Sequence, residues 1–242
     1  MFHVKHPGKQ ESIKPDRLAE ATVALVEQAL RAIGFAPAIA DFYDRIERFA
    51  AVLALWGGTT NLTAAPDDPD EMAFHIVDSL APMVVAGGPE SASLRGAFAG
   101  GQKIIDLGSG AGFPGLILAA ANEAHFTLLE ARRKRASFLT VAAAAMGLSN
   151  VEVASRYPEE LTAGFAVATG RAFAQPPVFY RAAGRALRAD GLAILYANPD
   201  QALEPEAAAL CGLGELQRPP YAIPRGKREV RRVLAVWRRR SD

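Results

Sequence analysis

A glycine-rich segment is the part of the chain whose residue types and spacing most directly suggest chemistry. It reads Asp106-Leu107-Gly108-Ser109-Gly110-Ala111-Gly112-Phe113-Pro114-Gly115. Three glycines at alternate positions allow the backbone to adopt positive φ and to approach a ligand closely. The segment from Lys103 to Leu107 predicts a buried strand before this turn, and Pro114 suits the first turn of a following helix. In an open parallel sheet, ligands bind at such a strand end.

Two cofactor classes match this turn. The segment from Gly110 to Gly115 has the GxGxxG spacing of a dinucleotide site, and Glu130 follows at the distance expected for an NAD-dependent oxidoreductase. However, Pro114 removes a backbone N–H at the helix start, where a pyrophosphate needs donors. S-adenosylmethionine has no phosphate, and Asp106 could meet its cationic methionine end directly or through water. Glu130 could accept hydrogen bonds from its ribose hydroxyls, so the pattern favours a methyltransferase.

The elements around the turn indicate an α/β architecture. Strands are predicted over residues 103–107, 125–130, 151–154, 165–169 and 192–196, with helices over 132–146 and 177–188. Strands that alternate with helices predict a doubly wound, mainly parallel sheet. Residues 16–33, 37–55 and 68–85 are predicted as helices, the last with Asp68 at the N-cap and Pro69 at the first helical position. Residues 230–237 are expected to form an antiparallel edge strand.

This pattern divides the chain into a flexible tail over residues 1–15, a helical cap over 16–90 and a domain over 91–242 that ends in a basic strand. Half of the residues are hydrophobic and 22% are charged, as in ordinary globular proteins. One cysteine, Cys211, excludes an internal disulfide, and the histidines lack paired ligand spacing, so no metal site is expected. Without an apolar run of ~18 residues or a signal peptide, we expect a cytoplasmic protein that does not bind membranes.

An ordered set of segments resembles a known family. The set comprises Asn61-Leu62-Thr63, Phe74 to Leu80, Asp106 to Gly115, Leu128-Leu129-Glu130, Lys134-Arg135, Phe138-Leu139 and Arg171-Ala172-Phe173. Together they resemble the bacterial small-subunit ribosomal RNA methyltransferase G family, also called glucose-inhibited division protein B. The resemblance implies a Rossmann-like class I methyltransferase with a mainly parallel seven-stranded sheet and a helical N-terminal extension. It also implies S-adenosylmethionine as cofactor and methylation of N7 of one 16S rRNA guanosine, of the position 527 type.

The resemblance also implies which residues meet the cofactor. Gly108 and Phe113 match family positions that contact the methyl donor, and Arg171 matches a cofactor-side arginine. The family's R-x-E-E segment matches residues 156–160, which contain one extra residue here. The predicted cofactor site therefore comprises Asp106, Gly108, Gly110, Gly112, Phe113, Glu130, Tyr157, Pro158, Glu159 and Arg171. One departure is at Tyr196, since the fifth strand of the family often ends Leu-Lys-Gly.

No catalytic residue is assigned from the sequence. Guanine N7 carries a lone pair and no proton, so its methylation requires positioning rather than a general base. Asn61, His75 and Asp78 are the candidates for the rim that faces the RNA base. His75 and Asp78 are three residues apart and share one helix face. We favour the alternative in which they are a structural pair that fixes the helical cap to the sheet domain.

Local clusters of basic residues are consistent with an RNA partner. The net charge is only +1, so a nucleic-acid surface must come from such clusters. Residues 225–240 contain eight cations and one acid. The predicted RNA contacts are Arg132, Lys134, Arg135, Lys227, Arg228 and Arg231. The expected partner is 16S rRNA or the small ribosomal subunit, bound by a monomer, and a non-catalytic ribosome-assembly factor remains the second alternative.

Overall fold

A computed structural model describes residues 14–241, apart from 58–59, 87–93, 95 and 156–157. The helices are α1 (Pro15–Ala32), α2 (Phe42–Gly57), α3 (Pro69–Ser79), α4 (Ala81–Ala86), α5 (Gly115–Ala121), α6 (Arg133–Ala145), α7 (Pro176–Ala186) and α8 (Pro205–Leu210). The strands are β1 (Lys103–Leu107), β2 (His125–Leu129), β3 (Val151–Ala154), β4 (Phe165–Arg171), β5 (Leu187–Ala197), β6 (Leu213–Gln217), β7 (Pro220–Arg225) and β8 (Arg228–Arg239). Within the described part of the chain, no helix is both long enough and apolar enough to span a membrane.

The strands form one mixed sheet, in the order β3-β2-β1-β4-β5-β8-β6, with β7 also paired to β8. The first five strands in this order are parallel, and β8 is antiparallel to β5. The predicted α/β class with a mainly parallel Rossmann-like sheet is therefore confirmed. Over the described residues the sheet has eight strands rather than the implied seven, because β7 pairs with β8 in addition to the seven strands of the main order.

The prediction that residues 230–237 form an antiparallel strand is confirmed, but the predicted position at the edge of the sheet is wrong. This segment lies within β8, which pairs with β5 on one side and with β6 and β7 on the other. The sequence does not reveal β7 as a strand because Pro220 and Pro224 interrupt it, and proline cannot donate a ladder hydrogen bond. Such a strand is tolerated at an edge, so β7 takes the outer position.

The N-terminal helices follow the predictions with shifted ends. Asp68 caps α3 as expected, since its Oδ1 accepts hydrogen bonds from the backbone N–H groups of Asp70 and Glu71 at 2.9 and 3.3 Å. The single helix predicted over 68–85 is divided at Leu80. Pro82 explains this division, because a proline inside a helix lacks the N–H and collides with the carbonyl four residues earlier. The second helix begins at Phe42 rather than at residue 37.

The helices cover both faces of the sheet. On one face, α1, α2 and α3 share a continuous apolar core with α5, α6 and the sheet, which includes Phe49, Phe126 and Ile194. On the other face, α7 and α8 pack against buried strand residues that include Trp237. The predicted helical cap and the sheet thus bury one core together. The proposed boundary at residue 90 falls outside the described residues and stays a prediction.

Candidate cofactor and substrate site

Two adjoining cavities lie at the carboxyl edge of the parallel strands. The larger has a volume of about 400 Å³ and is lined by the glycine turn, the ends of β4 and β5, α3 and Arg232. The smaller has a volume of about 200 Å³ and is lined by residues that include Glu130, Pro158 and Phe173. Gly108 lines both cavities. The edge of the sheet that the sequence predicted for ligand binding is therefore concave in the structure.

The glycine turn is held against the end of β2. The backbone N–H groups of Gly108 and Ser109 donate to the carbonyl oxygen of Leu129 at 2.8 and 3.0 Å. Gly108, with φ of +71°, adopts the left-handed conformation that favours glycine. A Cβ atom at Gly108 would lie under 3.0 Å from the ring of Phe173. This position therefore requires glycine both for its backbone conformation and for its surroundings.

Asp106 lies beneath the turn rather than in the cavity wall. It is 1% exposed, and its Oδ2 accepts a hydrogen bond from the backbone N–H of Gly115 at 3.1 Å. Its Oδ1 accepts a hydrogen bond from the hydroxyl of Thr169 at 2.8 Å. Burial raises the pKa of Asp106. This carboxyl group therefore ties the turn to α5 and β4, and its expected contact with the methionine end of the cofactor, directly or through water, stays a prediction.

Glu130 is placed as the sequence predicted, at the end of β2 and beside the smaller cavity. Its Oε2 accepts a hydrogen bond from the backbone N–H of Gly110 at 3.1 Å, and its Oε1 accepts one from the backbone N–H of Arg132 at 2.8 Å. A carboxylate has about four acceptor positions, so each oxygen retains one for a ribose hydroxyl.

Pro158 lines the same cavity, at the start of a short 3-10 helix that continues through Glu159. Tyr157 lies outside the described residues.

Replacement of Glu130 by glutamine tests this position. We expect Glu130→Gln to weaken S-adenosylmethionine binding by about 10- to 100-fold, because an uncharged amide replaces one of two acceptor oxygens. Titration calorimetry measures the change. Glu123→Gln, at an exposed glutamate, is the matched control and should bind like the wild type. Equal affinities for the two variants would contradict the assignment of Glu130.

Asp78 is the buried centre of a polar network that joins α3 to the sheet. Its side chain is 1% exposed, and its Oδ2 accepts a hydrogen bond from Nη1 of Arg171 at 3.0 Å. The hydroxyl of Tyr221 donates to its Oδ1 at 2.8 Å, and Nε of Arg232 lies 3.7 Å from the same oxygen. These contacts support the structural interpretation favoured from the sequence. Tyr221 and Arg232 were missed because both lie more than 140 residues away along the chain.

Arg171 links this network to the glycine turn. Its guanidinium group lies 5.0 Å from the centre of the Phe113 ring, and its Nη1 also donates to the carbonyl oxygen of His75 at 3.2 Å. Both Arg171 and Phe113 line the larger cavity. The structure thus brings these two predicted cofactor residues together and joins them to α3.

His75 lines the larger cavity, and Asn61 directly precedes Leu62, which also lines it. The His75 ring lines the cavity, and its Nε2 is 3.3 Å from Oε1 of Glu71. Burial, together with the nearby cations Arg171, Arg225 and Arg232, lowers the pKa of His75 to about 3. It is therefore neutral at pH 7. Asn61 is exposed, and its backbone oxygen accepts a hydrogen bond from Nη2 of Arg135 at 2.8 Å.

The lowered pKa of His75 predicts a specific dependence of stability on pH. Between pH 6.5 and about 3, the unfolded chain binds a proton at His75 that the folded chain does not. The free energy of unfolding should therefore fall as the pH falls through this range, by at most about 1.4 kcal/mol per pH unit from this residue. Urea unfolding from pH 7 to 4.5 should show a shallower pH slope for His75→Gln than for the exposed control His125→Gln. Identical slopes would refute the prediction.

The predicted RNA-binding residues form two groups at the same edge of the sheet as the cavities. Arg132 and Lys134 are exposed at the start of α6, which follows the end of β2. Arg135 is half-buried, and its contact with the backbone of Asn61 gives it a structural role. The exposed residues Lys227, Arg228 and Arg231 lie on the hairpin of β7 and β8. Ala197, the last residue of β5, pairs with Val233, whereas β8 begins at Arg228. The start of β8 and the paired strand β7 therefore extend past the end of β5.

The site fits S-adenosylmethionine in its donor and acceptor groups. The backbone at Gly108 leaves a space that any Cβ atom would fill. Next to it lies the Glu130 carboxylate, each oxygen of which retains an acceptor position. The main-chain N–H groups of Gly108, Ser109 and Gly110 are already engaged within the protein, which disfavours a pyrophosphate. Over the described part of the chain, no cluster of three metal-ligating side chains is found.

Comparisons with known proteins agree with this fit. The family model described as rRNA small subunit methyltransferase G matches residues 43–211. The methyltransferase G of Cupriavidus necator is 33% identical over 89% of this chain and 94% of its own length. That of Bordetella pertussis is 33% identical over 85% of this chain and 88% of its own length.

Solved structures support the fold. A protein from Galdieria sulphuraria described as a sarcosine dimethylglycine methyltransferase has a TM-score of 0.55 at 13% identity, over 80% of this chain and 98% of that one. The architecture is therefore that of class I methyltransferases, and the cofactor is S-adenosylmethionine rather than NAD. With a family model that matches most of its length, the chain belongs to the rRNA small subunit methyltransferase G family.

Proposed function

We propose that this protein methylates N7 of a single guanosine, of the position 527 type, in the 16S rRNA of the small ribosomal subunit. The observation that carries the proposal is the convergence of three features at one edge of the sheet. These are the cavity beside Gly108, the α3 side chains that line it, and the exposed basic residues of α6 and the hairpin. Family membership supports the substrate class, and the cavity is where we propose that one base binds.

The chemistry of N7 explains the groups that the cavity contains. When bound, S-adenosylmethionine supplies a methyl group on a cationic sulfonium, and guanine N7 supplies a lone pair without a proton. The protein therefore has to orient two partners in line and to exclude water, not to move a proton. His75 is consistent with this requirement, because it stays neutral at physiological pH and offers no charge that would repel a cationic product.

Each group of residues has a separate task in this proposal. Glu130 holds the ribose, while Gly108 and Gly110 allow the cofactor to approach the backbone. Phe113 and Arg171 line the larger cavity next to the α3 residue His75, so they would contact the cofactor and the base at the same place. An unstacked base would enter from the side of Asn61. RNA recognition commonly takes such splayed bases against aromatic or arginine planes.

The exposed cations hold the RNA backbone around the cavity. Arg132 and Lys134 lie on one side, and Lys227, Arg228 and Arg231 lie on the other. Contacts of this kind position the RNA and make binding depend on salt, without reading the sequence. We further propose that the protein acts as a monomer in the cytoplasm, where its ribosomal substrate is found.

Methyl transfer to ribosomal particles tests the proposal. Small subunits from a strain without this gene are incubated with the protein and labelled S-adenosylmethionine, and the modified base is mapped in the 16S rRNA. We expect a single 7-methylguanosine. Binding of the cofactor and of subunits without transfer would instead support the assembly-factor alternative. Labelling of another base or of 23S rRNA would contradict the proposed substrate.

A further inference from the structure

We propose that a groove at the edge of the sheet opposite to the two cavities is a second contact surface for the phosphate backbone of ribosomal RNA. The groove lies between α7, the end of α8 and the end of β8, and has a volume of about 530 Å³. Arg181, Arg185 and Arg239 line it, and the described residues of its wall include no acidic side chain. This inference rests on the proposed function, because rRNA is the polyanion that it invokes.

We call this groove the arginine groove. Its cations come from two elements, α7 and β8. Arg181 and Arg185 are four residues apart on α7, so they project from one helix face. Both are exposed, and among the described residues neither has an ion-pair partner. Arg239 approaches from β8. In a chain whose net charge is only +1, such unpaired cations produce a local positive potential that attracts polyanions.

Two glycines shape the groove and hold one of its arginines. A Cβ atom at Gly184 would overlap the carbonyl oxygen of Cys211, so glycine allows α7 to approach the end of α8. A Cβ atom at Gly212, where φ is +73°, would overlap the guanidinium group of Arg239. Nη1 of Arg239 donates to the carbonyl oxygen of Cys211 at 3.5 Å. A guanidinium group that is already positioned loses less conformational entropy when it binds a ligand.

Guanidinium groups and the position of the groove indicate an RNA backbone as the occupant. The planar fork of arginine matches the oxygens of a phosphate. Val233 pairs with Ala197 at the cofactor edge, and Arg239 lies six residues further along β8, which corresponds to about 20 Å. The arginine groove therefore lies away from the cavity in which we propose that the base binds. It would bind a separate segment of the folded rRNA and fix the orientation of the protein on the subunit.

Charge reversal in the groove tests this inference. The variant Arg181→Glu/Arg185→Glu is compared with Lys14→Glu/Arg17→Glu, which reverses two exposed cations on or next to α1. Binding to protein-free 16S rRNA is measured over a range of KCl concentrations, together with methyl transfer to small subunits. For the groove variant we expect about 10-fold weaker RNA binding and a log–log salt slope smaller by about 2. Its affinity for S-adenosylmethionine should be unchanged, which also shows that it folds.

The possible outcomes separate this inference from the proposed function. If the groove variant binds 16S rRNA like the wild type, with the same salt slope, the groove assignment is overturned. Normal RNA binding with reduced transfer to subunits would indicate a ribosomal protein as the partner and would also overturn it. If the wild type neither binds 16S rRNA nor methylates subunits, the proposed function has failed, and this inference fails with it. The milder variant Arg181→Gln/Arg185→Gln should change the slope in the same direction.

Discussion

Replacement of Gly108 by valine should reduce the affinity for S-adenosylmethionine by at least about 100-fold, or about 2.8 kcal/mol. A Cβ atom there would lie under 3.0 Å from the ring of Phe173, which lines the smaller cavity. A β-branched residue is also strained at φ of +71°. The valine would therefore displace either the turn or the phenylalanine ring into the space that the cofactor needs. Titration calorimetry and methyl transfer both report the loss.

Gly101→Val separates the loss of the site from the loss of stability. Gly101 has φ of +80°, so valine there carries comparable backbone strain, but no other atom lies within 4 Å of its Cβ position. We expect this control to lose stability and to bind S-adenosylmethionine normally at 20 °C. Unchanged cofactor affinity for Gly108→Val would show that the cofactor lies elsewhere.

Replacement of Asp78 by asparagine should lower the free energy of unfolding by about 3 kcal/mol or more. The neutral side chain would leave Arg171 and Arg232 without their buried counter-charge, and loss of one partner from a buried ion pair typically costs 3–5 kcal/mol. For a chain of this size, the melting temperature should fall by roughly 6–12 °C. The amide oxygen can still accept from Tyr221, but the amide nitrogen then faces Nη1 of Arg171, so that hydrogen bond is lost together with the charge. Thermal and urea unfolding measure the effect.

Asp41→Asn is the matched control for this variant. Asp41 forms an ion pair with Arg45 at 3.0 Å, but its side chain is 51% exposed. Exposed pairs of this kind contribute at most about 1 kcal/mol. Equal destabilisation by the two substitutions would show that Asp78 is not the anchor between α3 and the sheet.

The glycine turn could be predicted because its determinants are adjacent in the sequence. Alternate glycines and a following proline restrict the backbone between residues 106 and 115 to a strand, a turn and a helix start. Glu130 ends the next strand, and neighbouring parallel strands end at the same edge. Once β1 pairs with β2, Glu130 lies beside Gly110. Asp68 was likewise identified as the α3 cap, because a capping side chain bonds to the next few backbone N–H groups.

The function of Asp106 could not be predicted in this way. Its position before the glycines predicts a contact with the cofactor, but nothing in the sequence indicates its hydrogen bonds to Thr169 and Gly115, which place it under the turn. Thr169 is on β4, and only the pairing of β1 with β4 brings the two side chains together. The same argument applies to β8, which lies inside the sheet only because β5 pairs with one of its sides and β6 and β7 pair with the other.

The sequence by itself determined the class of fold and the family, and it predicted the edge of the sheet where a cofactor would bind. These features depend on local backbone preferences and on an ordered set of short segments. Only the tertiary structure decided which side chains meet across long separations. Asp78 binds Arg171 from 93 residues away and Tyr221 from 143 residues away. Such pairs form when strand register and helix packing bury charges that must then find partners. Neither register nor packing is encoded in any single segment, so these contacts appear only in the folded chain.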